Sequence, residues 1–110
     1  MSRWRWQPGR QGSGYDKLLL AQARRFDAYL LRFPPGSSVP PHRDPVDGLA
    51  HLRLNCILRP AARGGEFRCP ETILDRPRIK LFRPDRFEHS VTTIEAGTRL
   101  VLSIGVAYSP

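Results

Sequence analysis

Apolar residues in this chain come in short runs separated by turn residues. Phe26–Phe33 reads Phe-Asp-Ala-Tyr-Leu-Leu-Arg-Phe and has strand character. Residues 51–58 alternate at their start, and 78–82 is a shorter alternating segment. Residues 98–108 form a nearly continuous run rich in Val, Ile and Leu, which predicts a central strand buried on both faces. Turn signals stand between the runs: Pro34-Pro35-Gly36, Asp47-Gly48, Gly64-Gly65, Arg83-Pro84-Asp85 and Ala96-Gly97. Short strands at this spacing predict an all-β sandwich or jelly roll.

The segment 15–25 reads two ways. Leu18 to Ala23 suits one short N-terminal helix, because Ala, Gln and Arg are good helix formers. It also suits the first strand of a hairpin into Phe26, and the missing loop signal favours the strand. Residues 1–14 hold four glycines or prolines and read as an irregular basic arm. Residues 15–110 then form a single domain, as expected for 110 residues.

Charge adds one class to consider. The net charge is +8, and 16 of the 18 basic residues are arginine. Basic chains bind nucleic acid by releasing counterions from phosphates. Here the basic residues are scattered, so nucleic acid is a possible partner but not the favoured one. No apolar run reaches membrane-spanning length and no signal peptide opens the sequence, so no membrane partner is expected and the expected compartment is the cytoplasm. Cys56 and Cys69 then read as free, buried thiols.

The chemistry concentrates in four residues. His42 and Asp44 lie in Pro40-Pro41-His42-Arg43-Asp44-Pro45. Residues two apart on an extended chain face the same side. The prolines hold this stretch extended, because Pro40 and Pro41 restrict their own angles and Pro45 restricts Asp44. His89 follows 47 positions later and Arg99 ten beyond that. Two histidines and one carboxylate can bind one face of a metal and leave the other open. Arg99 sits inside an apolar run, where a charge needs a counter-ion.

This pattern resembles the 2-oxoglutarate and Fe(II)-dependent oxygenases. Their shared His-x-Asp, distant His and later Arg correspond to His42-Arg43-Asp44, His89 and Arg99. Tyr29 to Gly36, Gly64-Gly65-Glu66-Phe67, Arg83-Pro84-Asp85 and Gly97-Thr98-Arg99-Leu100 also fit, over residues 27 to 108. The resemblance implies a double-stranded β-helix, a jelly-roll or cupin-like barrel. It implies His42, Asp44 and His89 as Fe(II) ligands, with no catalytic residue beyond them. It implies Arg99 as the partner of the far carboxylate of 2-oxoglutarate, with O2 as the second co-substrate. Many members carry a hydroxyl two positions after that arginine, where this chain has Val101 and then Ser103. The implied reaction is hydroxylation of an unidentified protein side chain, amino acid or modified base.

Other positions extend the candidate site. Arg53 and Asn55 share a face of their segment and either line the pocket or face out. Arg53 on the inner face could hold a second carboxylate. His51 reads as a surface histidine after a loop. Trp4 and Trp6 are expected to fold back over the barrel. Two further readings stay open: a metal-binding β-barrel that senses or binds without turnover, and a basic nucleic-acid-binding barrel.

Overall fold

The computed structural model describes residues 5–9 and 13–110. Among these, every regular element is a strand. Seven strands form one antiparallel sheet in the order β1 (Trp6–Pro8), β2 (Asp16–Ala23), β3 (Phe26–Phe33), β12 (Arg99–Tyr108), β5 (Ala50–Arg59), β9 (Ile79–Phe82) and β8 (Leu74–Arg76). Three more, β4 (Val39–His42), β10 (His89–Val91) and β7 (Phe67–Arg68), form a second sheet. The pair β11 (Ile94–Ala96) and β6 (Arg63–Gly64) completes the set. The small sheets face the large one, and Phe33, Val39, Ile57, Val91, Ile94 and Val101 fill the space between them. This is the expected all-β jelly roll, with the long apolar run as its central strand.

Register decides what faces inward. Val101 lies opposite Leu31 on β3 and Ile57 on β5; Ser103 lies opposite Tyr29 and Asn55; Gly105 lies opposite Asp27 and Arg53. Arg99, Val101, Ser103 and Gly105 are all buried, and alternation turns Leu100, Leu102, Ile104 and Val106 to the other side. Here the structure corrects the sequence reading. The central strand is buried on one face only, and its outer side chains are half-buried or, at Val106, 37% exposed. Among the described residues no second layer packs over that side, so the apolar run reflects an apolar outer sheet face.

Two local expectations resolve. Residues 16–23 are strand, paired to β3 across the two-residue turn at Arg24 and Arg25, so the short N-terminal helix does not form. Within the segment expected to be irregular, Trp6–Pro8 pairs with Leu18, Lys17 and Asp16. The Arg32 guanidinium lies 4.0 Å from the Trp6 ring, so Trp6 does fold onto the barrel. Trp4 lies outside the described residues.

The Gly64-Gly65 turn is required by both space and backbone angle. Both glycines have positive φ, +76° and +69°. A Cβ on Gly65 would come within 2.4 Å of Ile94 Cδ1. The turn therefore lets β6 approach β11 and leaves room beside Arg99, whose Cδ lies 3.5 Å from the same point.

Candidate metal centre

His42 and His89 are direct cross-strand neighbours on β4 and β10, and their ring centroids are 4.3 Å apart. β4 is the edge of its sheet, which is where Pro40 and Pro41 are tolerated. Asp44 follows in the loop after β4. Its backbone N–H donates to the Pro84 carbonyl at 2.8 Å, which ties this loop to the turn before β10. The two imidazoles are oriented alike. His42 Nδ1 lies 2.8 Å from the Pro40 carbonyl and His89 Nδ1 lies 3.2 Å from that of Phe87. These backbone acceptors would hold a proton on each Nδ1 when a metal is bound, so that each Nε2 lone pair faces it; without a metal, a ring protonated at Nε2 as well donates to Asp44 instead. Asp44 Oδ2 lies 3.5 Å from His42 Nε2 and 3.3 Å from His89 Nε2.

The three donor atoms lie within 4.8 Å of one another, the span of a coordination sphere. Burial alone would raise the Asp44 carboxyl. Hydrogen bonds and positive charge from His42 and His89 outweigh it and hold the group well below the usual carboxylate range. The site is thus an ionised carboxylate between two nitrogen donors, a set that suits a divalent transition metal.

Arg99 lies in the same cavity, which has a volume of about 250 Å³. Its side chain is 2% exposed and packs against Phe33, with the guanidinium carbon 5.0 Å from the ring centroid. Burial pushes its pKa down to about 10, so it stays charged at neutral pH. Its terminal Nη2 has no hydrogen-bond partner. A buried cationic donor of this kind calls for an anion.

Arg53, Asn55 and Ser103 also line the cavity, which settles the side they face. They are already joined to one another. Arg53 donates to Ser103 Oγ at 2.8 Å and to the Asp27 carboxylate at 2.8 and 3.1 Å. Ser103 Oγ donates to Asn55 Oδ1 at 2.6 Å. Gly105 makes this possible, because a Cβ there would sit 2.2 Å from Arg53 Nη2. The guanidinium crosses β12 over the missing side chain to reach Asp27. Arg53 is therefore neutralised within the chain, and Arg99 is the cavity's buried arginine with an unmet donor.

Sequence reasoning missed several cavity residues. His51 is 8% exposed and lines the cavity rather than the surface; burial and then the charge of Arg53 hold its pKa down. Asp27, Lys17, Tyr29 and Phe82 carry no motif, and only the pairing of β2, β3 and β9 with the central strands places the last three along the cavity and Asp27 beside Arg53. Both cysteines are free and half-buried. Burial pushes the Cys69 thiol up, and it donates to the Glu71 carbonyl at 3.1 Å.

No protein-family model and no curated protein matches this chain. Solved structures do. The chain is similar to the cupin domain of Schizosaccharomyces pombe Cnp3, with a TM-score of 0.65 and 15% identity, covering 93% of this chain and 67% of that one. It is similar to KdgF from Halomonas sp., with a TM-score of 0.64 and 14% identity, covering 93% and 86%. It is also similar to a chain of the Rhodobacter sphaeroides SigE complex with the anti-sigma ChrR, with a TM-score of 0.57 and 24% identity. That match covers 96% of this chain but 49% of the other, so this chain spans about half its length. At these identities the likeness is one of fold: the barrel is a cupin-type double-stranded β-helix.

Proposed function

We propose that the chain is an Fe(II)- and 2-oxoglutarate-dependent dioxygenase. The observation that carries this reading is a pairing within one cavity. A His-Asp-His donor set stands in the same space as a buried arginine whose Nη2 is unmet. The residues fit both groups. Two neutral imidazoles and one carboxylate suit Fe(II) and leave coordination positions open. The cavity is slightly smaller than the roughly 300–1,000 Å³ of sites for drug-sized ligands, which suits a small dicarboxylic acid.

When bound, the metal and 2-oxoglutarate would supply the oxidising chemistry, with decarboxylation of the co-substrate to succinate and hydroxylation of a C–H bond. The chain's own contribution is placement. His42, Asp44 and His89 would hold the metal on one side. Arg99 would take the far carboxylate of the co-substrate in a two-point contact. Phe33, Phe82, Val39 and Val91 keep the surroundings apolar, which strengthens that contact by excluding water. The Arg53–Asp27–Ser103–Asn55 network would present a polar but neutral wall, so it orients a ligand without competing with Arg99.

The test is succinate formation from 2-oxoglutarate by Fe(II)-loaded protein in air without added substrate. Succinate that disappears in His89→Ala supports the reading. Metal binding with no succinate, at any pH or iron load, would point instead to a binding or sensing module. Oligonucleotide binding that weakens with salt and ignores metal would support the nucleic-acid reading.

A further inference from the structure

The inner face of the large sheet carries a second cation besides Arg99. Register orders the inward side chains in rows. Arg99 lies opposite Phe33, on which Tyr15 stacks; Lys17 lies in the next row, with Leu31 and Val101; Tyr29 lies in the third, with Ser103 and Asn55. Lys17 is half-buried and lines the metal cavity. Its Nζ lies 5.5 Å from the centroid of the Tyr29 ring, so the side chain leans toward the third row and away from Arg99. The two residues start two strands and two positions apart, about 12 Å at ordinary sheet spacing, and from there they diverge. They are placed to serve different anions.

No described carboxylate forms an ion pair with Lys17. Asp16, its neighbour in sequence, pairs with Arg32; Asp27 is taken by Arg53; Asp44 lies between the histidines. Residues 1–4 and 10–12 contain no acidic side chain. Lys80, the other lysine, pairs with Asp75. The proposed contents of the cavity would not supply the missing charge. A divalent metal and Asp44 leave one positive charge, and Arg99 adds a second. The 2-oxoglutarate dianion cancels both, and Arg53 and Asp27 cancel each other. The ammonium of Lys17 remains, and a half-buried cation without a counter-ion is costly.

Much of the remaining wall is aromatic. Tyr29 stands beside Lys17. Phe67 and Phe82 pack with ring centroids 4.9 Å apart, and Phe82 lies 5.1 Å from the His89 ring. The metal centre thus borders an apolar surface, while the unmatched charge lies on the β2 side.

We propose that Lys17 anchors the substrate and that the substrate is an organic monoanion. Its carboxylate pairs with Lys17, and its apolar body lies along Tyr29 toward Phe82 and the metal centre. This rests on the dioxygenase reading, because only with 2-oxoglutarate on Arg99 is Lys17 the one cation left for a monoanion.

Benzoate is the probe, and benzamide, of nearly the same shape without the charge, is its control. The protein carries Zn(II), a diamagnetic stand-in for iron, and saturating 2-oxoglutarate, whose binding is measured first by calorimetry. With two lysines in the chain, 13C-lysine labelling gives two sets of side-chain signals, assigned by Lys17→Met. Benzoate should shift the signals of Lys17 and leave those of Lys80, and benzamide should shift neither. Benzoate should bind Lys17→Met about tenfold more weakly or worse, the loss of one charge-assisted contact, and Lys17→Arg should restore binding. 2-Oxoglutarate should bind Lys17→Met as tightly as wild type, which a share in holding the co-substrate or a merely structural role would not give. A wild-type protein that binds no 2-oxoglutarate would sink the dioxygenase reading, and this proposal with it. With 2-oxoglutarate bound, three results overturn the assignment of Lys17 alone: benzoate that moves neither lysine, benzamide that binds as well as benzoate, or benzoate affinity unchanged in Lys17→Met.

Discussion

Replacing Arg99 with methionine should stabilise the ligand-free protein and abolish its response to 2-oxoglutarate. Burial alone lowers the arginine's pKa from 12.5 to about 10. At about 1.4 kcal/mol per pH unit, this corresponds to about 3 kcal/mol against the charged side chain in the folded state. Losing the contact with the Phe33 ring offsets about 1 kcal/mol of that. Methionine fills similar volume without charge, so the net gain is about 1–2 kcal/mol. For a domain near this size, each kcal/mol raises Tm by about 4–8 °C. The sign with pH follows from linkage: the unfolded chain holds this proton more tightly, so the penalty is complete below pH 10 and is relieved only as pH rises through and above it. Thermal and urea unfolding at neutral pH therefore report all of it. With a divalent metal present, 2-oxoglutarate at a hundredfold its Kd should stabilise the wild type by about 2.7 kcal/mol and leave Arg99→Met unchanged. An Arg99→Met protein less stable than wild type without ligand would refute the argument, because it would mean that the guanidinium has a stabilising partner in the empty cavity.

Four further outcomes follow from named contacts. Arg99→Lys keeps the charge but loses the two-point contact, so 2-oxoglutarate should bind at least tenfold more weakly by calorimetry, about 1.4 kcal/mol, while metal affinity is unchanged. Asp27→Ala strands the Arg53 guanidinium and should cost about 1.5–3 kcal/mol in urea unfolding, since the pair is largely buried; a loss under about 0.5 kcal/mol would contradict its role. Gly105→Ala drives a methyl into Arg53 and should cost about 1–3 kcal/mol while shifting the Arg53 side-chain resonances in NMR. The hydrogen bonds from Arg83 hold the Asp85 carboxyl below its ordinary range, so the contact stabilises above a pH of about 4 and is lost as pH falls below it. The stability difference between wild type and Asp85→Asn should therefore shrink as the solution is acidified from pH 6 to pH 3.

The strands and the shared side of His42 and Asp44 were legible because both depend on local pattern. Phe26–Phe33 is a strand over the same residues that its composition marked, and His42 and Asp44 share a side because period-two geometry requires it. That His42 and His89 are cross-strand neighbours was not legible, since register is a property of two segments together. The same limit hid Asp27. Nothing near it in sequence marks it, and its role arises only when Gly105 lets Arg53 reach over from β5. His51 was misread because its position after a loop suggested exposure, whereas it begins the inward row of β5. The run 98–108 was misread for a different reason. An apolar strand face predicts burial of that face, but the sequence of one chain does not say whether its own layers provide the cover.

The central claim is that metal and 2-oxoglutarate share one cavity, held by His42, Asp44, His89 and Arg99. Calorimetric titration of 2-oxoglutarate into the protein with and without Mn(II), under anaerobic conditions, tests it most directly. The account predicts binding with one equivalent that requires the metal, is lost in His89→Ala with the metal itself, and is lost in Arg99→Met with the metal retained. Binding that is indifferent to Mn(II), or that persists in Arg99→Met, would contradict it.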